Sequence, residues 1–158
     1  MTARTPGAVV PAVRPRNPKV VALGGGHGLF ASLSALRASV VSFGYKYGLP
    51  VDADLVADCR FLPNPRWVED LAPLNGRDEP VREYVLKQPG ATEFLNAYLT
   101  ALRIVFDGYT HQGKQYVTLA IGCTGGKHRS VAMAEEVASQ LEQAGLGVQV
   151  VHRDLGRE

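Results

Sequence analysis

The stretch QYVTLAIGCTGGKHRSVAMAEEVASQLEQAG, residues 115–145, decides the fold. Its first nine residues are a continuous apolar run of the kind that forms a strand buried on both faces. Its last eighteen carry Ala134, Val137, Ala138 and Leu141 at helical spacing, with Glu135, Glu136 and Glu142 on the opposite side. Between them lies a glycine-rich, basic loop. Strand, loop and helix in that order are half of a βαβ unit, and GVQVVHRDL at 147–155 supplies the next strand.

Working outward, SVVSFG (39–44) and ADLVADC (53–59) read as further strands, and Pro63, Pro65, Pro73 and Gly76 mark loops. A helix starts near Pro80, with Asp78 and Glu79 at its positive end. A longer one runs from Ala91 to Phe106 with Phe94, Leu95, Tyr98, Leu99, Leu102 and Val105 inward, and Gly108 is expected to end it. The fold class is therefore α/β: a parallel or mixed sheet flanked by helices, with a ligand loop at a strand-to-helix switch. Residues 1–18, rich in Pro, Gly and Arg, read as a flexible basic tail; 19–40 as strand, glycine loop and helix, the helix running through Arg37; and 41–158 as the main domain.

A chain of 158 residues that is 46% hydrophobic can bury one good core. Its apolar runs are too short to cross a bilayer, so the expectation is a cytoplasmic protein without a membrane partner. Cys59 and Cys123 are too few for a disulfide scaffold and lack the His pattern of a zinc site; no metal and no cofactor is expected. A net charge of +2 does not by itself announce a nucleic-acid binder.

The loop GCTGGKHRS (122–130) carries the chemistry. Gly125 and Gly126 let the backbone curl so that amides converge on one centre, at the N-terminus of a helix whose dipole favours an anion. Lys127, His128 and Arg129 add charge, Arg129 as a bidentate fork, and Thr124 and Ser130 add hydroxyls. A phosphoryl group fits this set. The same residues spell Cys-x5-Arg-Ser, the spacing of cysteine-dependent phosphatases, in which Cys123 would attack phosphorus and Arg129 would steady it. Against that, position 122 is Gly where those enzymes usually carry His, and Asp58 or Asp78 would have to serve as general acid. Cys123 as a buried strand-end residue is the other reading. Trp67 is read chiefly as a packing anchor, with stacking on a sugar or base as the alternative.

From Val41 onward the sequence resembles the C-terminal domain of the RapZ (YvcJ-like) family, through SFGYKYG, DADLVADCRFLPNP, PLNGRDEPV, IGCTGGKHRSVAMAEE and HRDL. The resemblance implies a homo-oligomeric, noncatalytic regulatory domain that senses a small phosphorylated ligand, glucosamine-6-phosphate. In some members it also binds small regulatory RNA and presents it to an RNase. Carried over by position, Lys46, Arg60, Asn64, Thr124, Gly125, Gly126, Lys127, His128, Arg129 and Ser130 line the ligand site. Arg66, His152 and Arg153 are candidate RNA contacts, with solvated side chains as the alternative. No Walker A motif is present, so no NTPase of that type is expected. PKVVALGGGHGLFASLSALR (18–37) resembles the opening of the YvcK/CofD nucleotide-binding family, which makes Gly24, Gly25, Gly26 and Gly28 at most half a phosphate site. A phosphatase, or a purely structural oligomerisation module, are the competing functions.

Overall fold

The computed structural model describes residues 35–157. The glycine loop at Gly24, Gly25, Gly26 and Gly28, and the segments around it, lie outside the described residues. The elements are β1 (Arg37–Gly44), a 3-10 turn (Tyr45–Tyr47), β2 (Leu55–Asp58), a second 3-10 turn (Pro65–Trp67), α1 (Glu79–Leu86), α2 (Ala91–His111), β3 (Tyr116–Cys123), α3 (Arg129–Gln143) and β4 (Gly147–His152). The four strands form one parallel sheet in the order β2-β3-β1-β4. This is the α/β architecture read from the sequence, with the sheet now resolved as parallel.

Register explains the core. Leu55, Leu119, Val40 and Val150 stand in one row across the sheet, and Val40 and Leu119 are fully buried. Each such side chain contributes about 1.5–3 kcal/mol relative to exposure. The connections β2→β3 and β3→β4 step the same way along the sheet, so right-handed crossovers place α1, α2 and α3 on a common face. Their apolar stripes, with Val81 and Val85, Leu102 and Phe106, and Val137 and Leu141, meet that face in a single cluster. The opposite face carries Val56, Tyr116 and Val151, all exposed.

Two boundaries differ from the sequence expectation. Arg37 belongs to β1, paired with both Tyr116 and Gly147, and so begins the strand instead of ending a helix. α2 does not stop at Gly108 but continues to His111, because Tyr109 is packed against the core and carries the helix past the glycine. It ends instead at Gly113, whose φ of 74° lets the Lys114 N–H turn back to the Tyr109 carbonyl at 2.9 Å.

Candidate functional site

The carboxyl ends of β1, β2 and β3 come together, and in a parallel sheet that edge is where helix N-termini and loops meet a ligand. β3 delivers the chain into the loop 123–129 and then into the first turn of α3. A β-carbon on Gly44 would lie 2.6 Å from the Gly125 carbonyl carbon, and one on Gly126 would lie 2.7 Å from the Gly44 N. The loop can therefore rest on the end of β1 only because both contact points are glycine, and Gly126 also needs its φ of 80°.

Beneath this contact is Asp154, wholly buried. Its carboxylate accepts the Gly44 N–H at 2.8 Å and is held by the guanidinium groups of Arg153 and Arg157. Burial alone would raise its pKa, but the bonds from Arg153 and Gly44 prevail and keep it below the usual aspartate value. The Tyr47 hydroxyl donates to the Arg157 carbonyl, and Arg153 donates to the Gly48 carbonyl. Residues 152–157 thus strap the underside of the loop.

Arg129 is 5% exposed and braces the site from within. Its Nη1 donates to the carbonyls of Arg60 and Leu62 at 3.1 and 2.8 Å, and its Nη2 donates to Thr124 Oγ1 at 3.3 Å. The guanidinium therefore ties the β2 loop to the β3 loop, with only Nε unpartnered among the described residues. Cys123 Sγ accepts the Gly126 N–H at 3.3 Å and lies 3.1 Å from Ser130 Oγ. Lys127 Nζ donates to the Ala72 carbonyl, while the Gly76 N–H returns to the Lys127 carbonyl.

These contacts enclose a cavity of about 180 Å³ lined by Lys46, Asn64, Arg66, Cys123, Thr124, Gly125, Lys127, His128 and Arg129. A wider cleft of about 540 Å³ adjoins it and shares Arg66, Lys127 and His128. Among the described residues, no carboxylate lines either space. Among the described residues, the amides of Gly125, Lys127 and His128 donate to no hydrogen-bond acceptor. The wall is cationic and rich in unengaged donors, which suits an anion.

His128 is 7% exposed and precedes α3 directly. Burial, then the Lys127 charge, lowers its pKa from the ordinary 6.5, against the pull of the Ala72, Leu71 and Leu74 carbonyls. A histidine held neutral in the fold must be charged at some cost once acid protonates it, so its contribution is complete above pH 6.5 and is lost as pH falls below that. Urea unfolding at pH 7.5 and 5.5 is expected to show a loss of stability at the lower pH that is smaller in His128→Gln.

Of the residues anticipated from sequence, Lys46, Asn64, Thr124, Gly125, Lys127, His128 and Arg129 share the cavity. Gly126 and Ser130 stand behind its wall, the first against Gly44 and the second against Cys123. Arg60 does not line it. Its guanidinium forks Asp58 and lies 3.8 Å from the Tyr45 ring, which leaves only its carbonyl to the site, as an acceptor for Arg129. The Asp58 carboxylate is lowered chiefly by that Arg60 bond. Arg66, anticipated as an RNA contact, lines the cavity. His152 is enclosed, with Nδ1 at 2.8 Å from Ser42 Oγ and Nε2 at 2.9 Å from Glu135 Oε1. Arg153 is committed to Asp154 and Gly48. Trp67 is 81% exposed and is not a packing anchor, because the 3-10 turn buries Pro65 and turns the indole outward.

Among the described residues, no group of three or more His, Cys, Asp or Glu side chains gathers to hold a metal, and no helix is long and apolar enough to cross a membrane. Comparison with known families matches residues 36–156 to the RapZ C-terminal domain. A nucleotide-binding protein of Frankia alni is 70% identical over 123 residues, which is 78% of this chain and 43% of that protein. Nucleotide-binding proteins of Thermobifida fusca and Streptomyces coelicolor are 66% and 62% identical over 78% of this chain, which covers 42% and 41% of their lengths. The chain thus spans about two fifths of the curated relatives it matches. The matched span does not reach the glycine loop at 24–28. With the sheet, the basic loop and the buried Asp154 beneath it all inside residues 36–156, the chain belongs to the RapZ C-terminal domain family.

Proposed function

We propose that this domain is a noncatalytic sensor of a small phosphorylated ligand, an amino-sugar phosphate such as glucosamine-6-phosphate. The observation that carries the reading is a cavity in which Lys46, Arg66, Lys127 and unengaged loop amides converge at the N-terminus of α3, with no carboxylate among the described residues that line it. The phosphoryl group takes the smaller space and the sugar extends into the adjoining cleft, past Arg66 and His128. Each charge-assisted hydrogen bond in such a site contributes about 1.5–3 kcal/mol.

Calorimetry with glucosamine-6-phosphate tests this. Lys127→Ala is expected to weaken binding roughly 10- to 100-fold, the loss of one such bond. Cys123→Ser, which keeps a hydrogen-bonding group in place of the thiol, is expected to leave affinity within a factor of about three, the low end of what a neutral hydrogen bond contributes.

A phosphatase is the second reading, favoured by Cys123 standing in the cavity wall bonded to Ser130. Two features weigh against it. Both Nη atoms of Arg129 are engaged by protein acceptors, and no carboxylate among the described residues lines the cavity to serve as general acid. Turnover of an aryl phosphate that disappears in Cys123→Ser would replace the sensor with the enzyme. RNA contact, as the relationship to RapZ suggests, would run along Arg66, which lines the cavity, and the exposed Trp67 that follows it in the chain. An affinity for RNA that falls steeply with salt and drops in Arg66→Ala would support it. Self-association is proposed on the same relationship and is read by sedimentation.

A further inference from the structure

The last paired residues of β2 and β3 are Asp58 and Gly122, and the ladder runs on through a 2.8 Å bond from the Cys59 N–H to the Gly122 carbonyl. Cys59 and Cys123 therefore stand side by side. Neighbouring strands lie about 4.8 Å apart, inside the Cα separation of roughly 4.4–6.8 Å that a disulfide spans. Alternation along each strand sends both side chains to the same face, opposite to Asp58. Both are free thiols.

Their surroundings differ. Cys123 borders the cavity, where Lys127 and Arg129 also stand, and its sulfur takes the Gly126 N–H. Cys59 is fully buried. Burial, with a smaller part from Cys123 beside it, pushes the Cys59 thiol up to about 12. Both thiols are buried, but Cys123, 3% exposed, is part of the cavity wall, whereas Cys59 stands behind it.

We propose that Cys123 is a peroxide-reactive site that closes an intramolecular disulfide with Cys59 and so disables the anion cavity. The Cys123 sulfur attacks one oxygen of hydrogen peroxide, the O–O bond breaks, and hydroxide leaves with the thiol proton as water, giving a sulfenic acid. The Cys59 sulfur then attacks the sulfenyl sulfur. The S–O bond breaks, the S–S bond forms, and the departing hydroxide takes the Cys59 proton as a second water. Two thiols lose two electrons and two protons, and one peroxide is reduced to two waters. Once bonded to Cys59, the Cys123 sulfur leaves the Gly126 amide and Ser130, the contacts that shape the loop. This last consequence rests on the sensor reading; the disulfide itself does not.

The full chain is treated with hydrogen peroxide, unfolded in an alkylating reagent and analysed by intact and peptide mass. The expected product is a monomeric chain lighter by two hydrogens, unlabelled at both cysteines and restored by dithiothreitol. With Cys59→Ser, dimedone is expected to trap a sulfenic acid on Cys123; with Cys123→Ser, Cys59 is expected to stay reduced. Full alkylation of both thiols after peroxide, a disulfide found only between chains, or oxidation of Cys59 in Cys123→Ser overturns the proposal. The oxidised chain is expected to bind glucosamine-6-phosphate at least tenfold more weakly. Excess inorganic phosphate is expected to slow the oxidation. A disulfide that forms at the same rate with phosphate present overturns the anion seat and leaves the thiol pair standing.

Discussion

Arg129→Ala is expected to lower the melting temperature by roughly 10 °C, the largest effect of any single side-chain truncation in the loop. The buried guanidinium spans two segments far apart in sequence by donating to the carbonyls of Arg60 and Leu62. Truncation leaves those acceptors without their donor and opens a void beside Thr124. A buried acceptor stripped of its partner costs about 1–3 kcal/mol, so the pair together costs on the order of 3 kcal/mol. Calorimetric melting of the full chain reads this directly. Arg129→Lys is expected to recover less than half of the loss, because one ammonium cannot reproduce a planar fork that meets two carbonyls and a hydroxyl at once. A melting temperature unchanged in Arg129→Ala would mean that the two loops are held by something else.

The second large effect separates two glycines of the same site. Gly44→Ala places a methyl 2.6 Å from the Gly125 carbonyl carbon and 2.9 Å from the Gly126 nitrogen, both backbone atoms that cannot swing aside. The loop must lift from β1, which also pulls the Gly44 N–H away from Asp154. A stability loss above about 3 kcal/mol and the disappearance of phosphate-ester binding are expected together. Gly125→Ala has open space around its new β-carbon and a negative φ, so unfolding by urea is expected to shift by less than about 1 kcal/mol. Equal destabilisation of the two variants would show that the loop does not rest on β1 as described.

Much of this was legible in the sequence because it is local. The run Tyr116–Cys123, the helical stripe of α3 and the basic loop between them form one continuous word, and the structure keeps it as strand, loop and helix. What could not be read is what depends on partners distant along the chain. Arg129 reads as a free fork for phosphate, yet its guanidinium is largely engaged by carbonyls 69 and 67 residues away. Arg60 reads as a pocket cation, but Asp58, two residues earlier, claims it. Asp58 and Arg60 lie only two residues apart, yet nothing local says that this pairing takes the guanidinium away from the pocket. Trp67 misleads for a related reason: an indole between Arg and Val says nothing about which side of a proline turn faces the core. The neighbourhood of Cys59 and Cys123 follows only from strand order and register, which no spacing of 64 residues reveals. Arg66 had a usable signal, since it lies two residues from Asn64 in the same turn and enters the cavity with it.

The strap that holds Asp154 under the loop has a consequence for how the protein is made. Every residue of the cavity wall, from Lys46 to Arg129, leaves the ribosome before Asp154, Arg153 and Arg157 do. While synthesis is under way, the glycine contact between β1 and the loop lacks the carboxylate that secures it. The loop therefore gains its buried anchor only once the segment that follows β4 has docked, which makes the basic cavity the last part of the domain to be set during synthesis.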